Sequence, residues 1–196
     1  MNKHRLFNKG ILGMLLILIS SAILSACSGK PHDLNWPVED FAFTDQNGQS
    51  FGLADLKNKV WISDFVYTHC TSVCPPMTAN MTKLQQKLKE AGVKAEIVSF
   101  SVDPGTDTPQ ALKSYVGKFG ANQDNWHLLT GYTDEKIQAF AQVTFKTAVQ
   151  KDTASDQVIH GTSFFLIDQT ATIVMKYDGL KPDYDKIVSD VKALQR

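Results

Sequence analysis

The sequence predicts an α/β sandwich, a central mixed β-sheet flanked by helices, with a hairpin extension at its N-terminal side. Three observations carry this. Val60 to Val66 is a nearly continuous apolar run, the pattern of a central strand covered on both faces. An amphipathic helical stretch and a second apolar run at 93–102 follow it, and strand, helix and strand in that order make a right-handed parallel crossover. Late in the chain, the runs 164–167 and 172–177 flank the short turn Gln169-Thr170-Ala171, which adds an antiparallel pair. With 196 residues, 43% of them hydrophobic, the chain can bury the core of one ordinary domain. No internal repeat or second composition regime divides residues 36–196.

Taken in order, the first residues read as an address. Lys3, Arg5 and Lys9 precede an apolar run from Ile11 to Leu24 interrupted only by small residues. That run is short for a membrane-spanning helix and fits the core of a signal peptide. It closes on Leu24-Ser25-Ala26-Cys27, which resembles the bacterial lipobox, so 1–26 is expected to be a lipoprotein-type signal peptide and Cys27 the lipidated first residue. An uncleaved N-terminal anchor with an incidental Cys27 is the alternative. Either way the remainder is expected outside the cytosol, tethered to a membrane face, with residues 27–35 as a short tether. Loss of 1–26 removes three basic residues and no acid, leaving 17 basic against 20 acidic, a net charge of −3. Nothing in that balance is the clustered basic footprint of a nucleic-acid binder.

Within the domain, Phe41-Ala-Phe-Thr-Asp alternates and meets the turn Gln46-Asn47-Gly48-Gln49, so a hairpin is expected at 39–53. Pro75-Pro76 opens a helix whose Met77, Met81, Leu84 and Leu88 share one face, and Gly92 ends it. Thr108-Pro109 is a good N-cap and N1 pair for a helix reaching about Phe119. A short strand is expected at 126–129 and a helix at 134–142, with acids in its first turn. An amphipathic helix from Asp183 to Leu194 closes the chain.

Three cysteines in 196 residues are too few for a disulfide-stapled scaffold. Cys70-Thr71-Ser72-Val73-Cys74-Pro75 lies where the buried strand ends and the helix begins. Free N–H groups and the positive end of the helix dipole at such a junction lower a thiol's pKa. A thiolate is the nucleophile of disulfide exchange and the soft ligand that Cu(I) prefers. Three intervening residues let both sulfurs converge, to hold one metal ion or to close a disulfide; a plain structural bridge is the bland reading. Two sulfurs leave a copper ion short of ligands, which directs attention to the histidines. His127 reads as a packed or surface residue, and His69, beside Cys70, as a group that caps or tunes the site. His160, in an expected loop before Gly161 and the strand 164–167, is the candidate third ligand. Met77 and Met81 match the apolar stripe of their helix and read as core.

The stretch Phe65-Val-Tyr-Thr-His-Cys-Thr-Ser-Val-Cys-Pro-Pro-Met-Thr, then Ser101-Val-Asp-Pro-Gly-Thr-Asp-Thr-Pro109, then the late His160, closely resemble the Sco/SenC family over essentially the whole mature chain. The resemblance implies a thioredoxin-like sandwich tethered on the outer side of an energy-transducing membrane. It implies one copper, as Cu(I) or Cu(II), held by Cys70, Cys74 and His160, and a role in maturing the CuA centre of cytochrome c oxidase subunit II. Asp103 falls in the second motif, either as a turn residue before Pro104 or as a carboxylate that orients the site. Asp64 is an acid in an apolar strand: buried, it would have a raised pKa and relay a proton; at a sheet edge it would simply face water.

Copper delivery is the leading reading, and the lipid-anchored chain is expected to be a monomer on the extracytoplasmic face of the bacterial membrane. The runner-up is a thiol–disulfide oxidoreductase using Cys70 and Cys74 to reduce the oxidase's copper-site cysteines. Only copper binding requires His160. A peroxidase of the peroxiredoxin class has T-x-x-C in Thr71–Cys74, but its proline would have to stand at Tyr67. A binding module with an inert disulfide is the remaining option.

Overall fold

The computed structural model describes residues 30–152, 155 and 157–196; the expected signal peptide, Cys27 and the first tether residues lie outside them. The elements in chain order are β1 (Trp36–Pro37), β2 (Ala42–Thr44), β3 (Ser50–Gly52), a 3-10 turn (Leu53–Leu56), β4 (Trp61–Val66), α1 (Cys74–Glu90), β5 (Glu96–Ser101), α2 (Pro109–Gly117), β6 (Trp126–Leu129), α3 (Asp134–Phe145), β7 (Val149–Lys151), β8 (Val158–His160), β9 (Ser163–Ile167), β10 (Thr172–Asp178) and α4 (Tyr184–Leu194).

Six strands form one mixed sheet in the order β1-β10-β9-β4-β5-β6. β4 pairs in parallel with β5 and antiparallel with β9, and β5 pairs in parallel with β6. All six residues of β4 are buried, as expected of a strand with neighbours on both edges and helices over both faces. Phe65 and Phe100 meet Phe140 and Phe145 of α3 on one face. Strand alternation turns Asp64 and Ser99 to the other face, where α1 lies against α4 and is joined to α2 through Thr78 and Tyr115.

The helix boundaries follow their caps. Thr108, Thr133 and Asp183 each accept a backbone N–H at the start of α2, α3 and α4, and Gly92 takes φ +66° just beyond α1. α3 runs to Phe145, three residues past the expected end, because Phe145 is a core residue with 0% exposure. The expected strand at 93–102 is present as β5 over 96–101, and Val102 adds one bond to the Val66 carbonyl. The expected hairpin at 39–53 is present as β2 and β3, fastened to the body by the bridge between Thr44 and Thr130.

Two segments differ from expectation. Trp36–Pro37 joins the sheet edge beside β10, and Leu34 already donates to the Val174 carbonyl, so main-chain pairing begins two residues before the expected domain start. His160 does not lie in a loop. β7 and β8 form a separate two-stranded hairpin in which Val149 faces His160 and Lys151 faces Val158, so His160 is a strand residue. Three-residue strands with one buried position each give almost no periodic signal to read.

Candidate metal centre

β4 delivers Cys70 through a tight turn: the Cys70 N–H bonds the Tyr67 carbonyl, and α1 starts at Cys74. Val73 caps α1 without a side-chain hydrogen bond. The Cys70 sulfur fills that role instead, accepting the Cys74 N–H at 3.2 Å. A sulfur at a helix N-terminus gains most when it carries charge. From the far side of the sequence, the β7–β8 hairpin brings His160, whose Nε2 lies 3.3 Å from Cys74 Sγ. Nδ1 lies 2.9 Å from the Gly161 carbonyl, a bond that needs a proton on Nδ1; in the neutral ring this leaves the Nε2 lone pair free to take a metal, and in the protonated ring Nε2 donates to the sulfurs. One ligand atom each from Cys70, Cys74 and His160 lie within 4.8 Å of one another. The cysteines are free thiols, Cys70 5% and Cys74 0% exposed.

The two sulfurs are electrostatically unequal. Burial pushes the Cys70 thiol up, but hydrogen bonds from His160, from the Cys74 thiol and from the N–H groups of Cys74 and Ser72 outweigh it and bring it down to about 5. Burial pushes Cys74 upward, and the neighbouring Cys70 sulfur pushes it further. Of the two sulfurs, Cys70 is therefore the one whose surroundings favour the charged form.

A two-stranded hairpin is marginal alone, so the position of His160 depends on what fastens it. Tyr67 supplies one tie: its hydroxyl donates to Gln157 at 2.9 Å and accepts the Val158 N–H, while its ring stands edge-on to the imidazole at 5.8 Å. Lys151 supplies another, reaching Asp103 at 3.1 Å and Asp134 at 2.8 Å. Gly161 permits close approach, since a Cβ there would collide with the Thr147 hydroxyl.

Asp103 is 7% exposed; its carbonyl closes the turn to Thr106 and Asp107 while its carboxylate pairs with Lys151. It is therefore a turn residue, and its carboxylate touches Lys151 of the His160 hairpin rather than the cysteines. His69 is exposed, its Nδ1 3.2 Å from the Thr68 hydroxyl. His127 stacks on Phe51 at 3.9 Å, beside Glu96. Met77 and Met81 are core, 1% and 0% exposed. Tyr67, Lys151 and Asp107 were not singled out from sequence. Tyr67 and Asp107 lie inside the two quoted motifs, whereas Lys151 sits in a stretch with no pattern at all.

Asp64 is 2% exposed in the middle of the sheet, which removes the water-facing edge as its explanation. Ser99 donates to it at 2.5 Å and in turn accepts the Trp126 indole N–H. Burial pushes its carboxyl up to about 7, against the lowering pull of the Ser99 bond and of His160. The unfolded chain releases this proton near 3.8 and the folded chain near 7, so the folded state binds more protons between and stability falls as pH rises through that window. Asp64→Asn should abolish the fall. Urea unfolding should show the variant gaining on the order of 1–3 kcal/mol over wild type between pH 4.5 and 8; parallel curves would refute the buried-acid assignment.

The SCO1/SenC family model matches residues 31–196. A SCO1/SenC family lipoprotein from Bacillus anthracis is 49% identical in sequence and superimposes with a TM-score of 0.81 over 83% of this chain and 97% of its own. BsSco, described as a member of the Sco family of cytochrome c oxidase assembly proteins and as having a disulfide switch, is 44% identical, with a TM-score of 0.76 over 82% and 94% of the two chains. Arabidopsis thaliana ScoI, solved with copper bound, is 27% identical, with a TM-score of 0.68 over 80% and 97%. The mixed sheet with helices on both faces is accordingly the thioredoxin-like sandwich, and the chain belongs to the SCO1/SenC family.

Proposed function

We propose that this protein binds one copper ion through Cys70, Cys74 and His160 and delivers it during cytochrome c oxidase assembly. The carrying observation is the convergence of two thiol sulfurs and one imidazole nitrogen from segments 86 residues apart in sequence. Thiolates and imidazole are the donors copper favours, and the Nδ1–H bond to Gly161 presents the imidazole with its free nitrogen inward. Copper is cargo here. His69, Thr71 and Ser72 are exposed beside the buried sulfurs, so a partner's ligands can approach from that side and displace the three donors in turn. The recipient in this reading is the CuA site of oxidase subunit II. The protein is held by a lipid on Cys27 at the outer face of a bacterial membrane; among the described residues no helix is long and apolar enough to cross one.

The test is a titration of the reduced protein with Cu(II), comparing wild type with His160→Ala. Wild type should bind one copper per chain and show thiolate-to-Cu(II) charge-transfer absorption. The variant should bind at least about 100-fold more weakly, since even outer-shell partners are worth about 10–100-fold. Copper that merely oxidises the thiols and remains free, equally in both proteins, would overturn the metal reading. The free, unequal thiols favour a second reading in that event. The Cys70 thiolate would attack a partner's disulfide, and Cys74 would release the mixed disulfide. The partner then leaves as a dithiol and Cys70–Cys74 as the disulfide, two electrons having passed.

A further inference from the structure

Asp107 has no exposed surface, and its side-chain hydrogen bonds go to Thr68 and Ser101 rather than to Cys70, Cys74 or His160. Its carboxylate is filled from three directions. One oxygen accepts both the backbone N–H of Thr68, at 3.1 Å, and the Thr68 hydroxyl, at 2.6 Å. The other accepts the Ser101 hydroxyl at 2.6 Å. Thr68 is two residues before Cys70, within the turn that the Cys70 N–H closes onto Tyr67. The strand pairing that would otherwise fix this backbone ends just before it, at Val66 opposite Ser101. The same turn is tied to α1 by the Cys70 sulfur, which accepts the Cys74 N–H, and to the His160 hairpin by the Tyr67 hydroxyl.

We infer that Asp107 is the positioning residue of the thiol loop: through Thr68 it fixes where Cys70 sits relative to Cys74 and His160. A carboxylate suits the task because it accepts from all three donors at once without supplying one of its own. Its backbone is held in turn, the N–H by the Asp103 carbonyl and the carbonyl by the Thr130 hydroxyl, so the mount does not move with the loop. The inference deepens the copper reading in its second arm below and is independent of it in the first.

The first arm needs no metal. The reduced protein is alkylated with iodoacetamide at pH 9, so that access rather than ionisation sets the rate, and modification of Cys70 is followed by peptide mass spectrometry. Thr68→Val keeps the shape and the backbone N–H but removes the hydroxyl; Asp107→Ala removes the acceptor. Both should raise the Cys70 rate by about tenfold through local opening of the loop, whereas Thr68→Ser, which restores the hydroxyl, should match wild type. In the second arm the same two variants should lose copper affinity by about 10–100-fold, with an altered charge-transfer band. A lowered melting temperature with unchanged Cys70 access and an unchanged band would make Asp107 a fold residue only and overturn the inference. If Asp107→Ala does not fold, Thr68→Val decides alone. Absence of copper binding by wild type would sink the metal reading while the alkylation arm still judges the loop.

Discussion

With Cys74 replaced by serine, the remaining Cys70 should react with iodoacetamide at a rate that changes by less than about twofold between pH 6 and 8, where an ordinary thiol gains nearly 100-fold. The flat profile follows from a sulfur brought down to about 5 by His160 and by the helix N–H groups, with the serine hydroxyl standing in for the Cys74 donor. As pH falls through about 5 the rate should drop tenfold per unit. Cys70→Ser should behave in the opposite way. Cys74 is pushed up by burial and has no exposed surface. Each unit of raised pKa costs tenfold in thiolate and returns only about threefold in nucleophilicity. This variant should therefore be slower than Cys74→Ser at pH 6 by at least about tenfold. A Cys70 rate that climbs tenfold per unit up to pH 8 would refute the asymmetry. The asymmetry matters for either reading of function, since one sulfur must accept a metal or a disulfide first.

Phe100→Ala should destabilise the protein by about 3–5 kcal/mol, the cost of removing a fully buried ring and leaving a cavity. Phe100 is 0% exposed and its ring meets those of Phe41, Phe43, Phe65, Phe140 and Phe145, at centroid distances from 5.1 to 6.3 Å. These five come from the N-terminal hairpin region, β4 and α3, so neighbouring backbone cannot collapse into the gap without moving a whole layer. In a domain of this size the melting temperature should fall by roughly 10 °C. Leu180→Ala, at a side chain 37% exposed, should stay within about 0.5 kcal/mol. A Phe100 variant that melts with wild type would mean that the aromatic layer is not the one that holds α3 to the sheet.

Much of this fold was legible because its signals are local. The apolar run of β4 is buried at every position, and Thr108, Thr133 and Asp183 cap the helices that follow them. The turn at Ala171, with φ +60°, joins the two late apolar runs as the antiparallel pair their spacing implies. The hairpin carrying His160 was not legible, because its strands are three residues long and their stability comes from Tyr67 and Lys151 rather than from their own pattern. The role of Asp103 was open for a similar reason: a turn aspartate and an ion-pairing aspartate look the same until Lys151 is placed beside it.

The sequence by itself determined the chemistry on offer: two soft sulfurs at a strand–helix junction, a late imidazole, and a buried strand carrying one acid. Composition, periodicity and capping are properties of neighbouring residues, and a chain states them directly. Only the tertiary structure decided which of those groups meet. It put His160 Nε2 against Cys74 Sγ, made Cys70 rather than Cys74 the low-pKa sulfur, and set Asp64 at the centre of the sheet instead of its edge. Distance, burial and hydrogen-bond direction between residues far apart in the chain exist only once loop-closure entropy has been overcome by the core, and those three quantities are what turn a set of ligating side chains into a site.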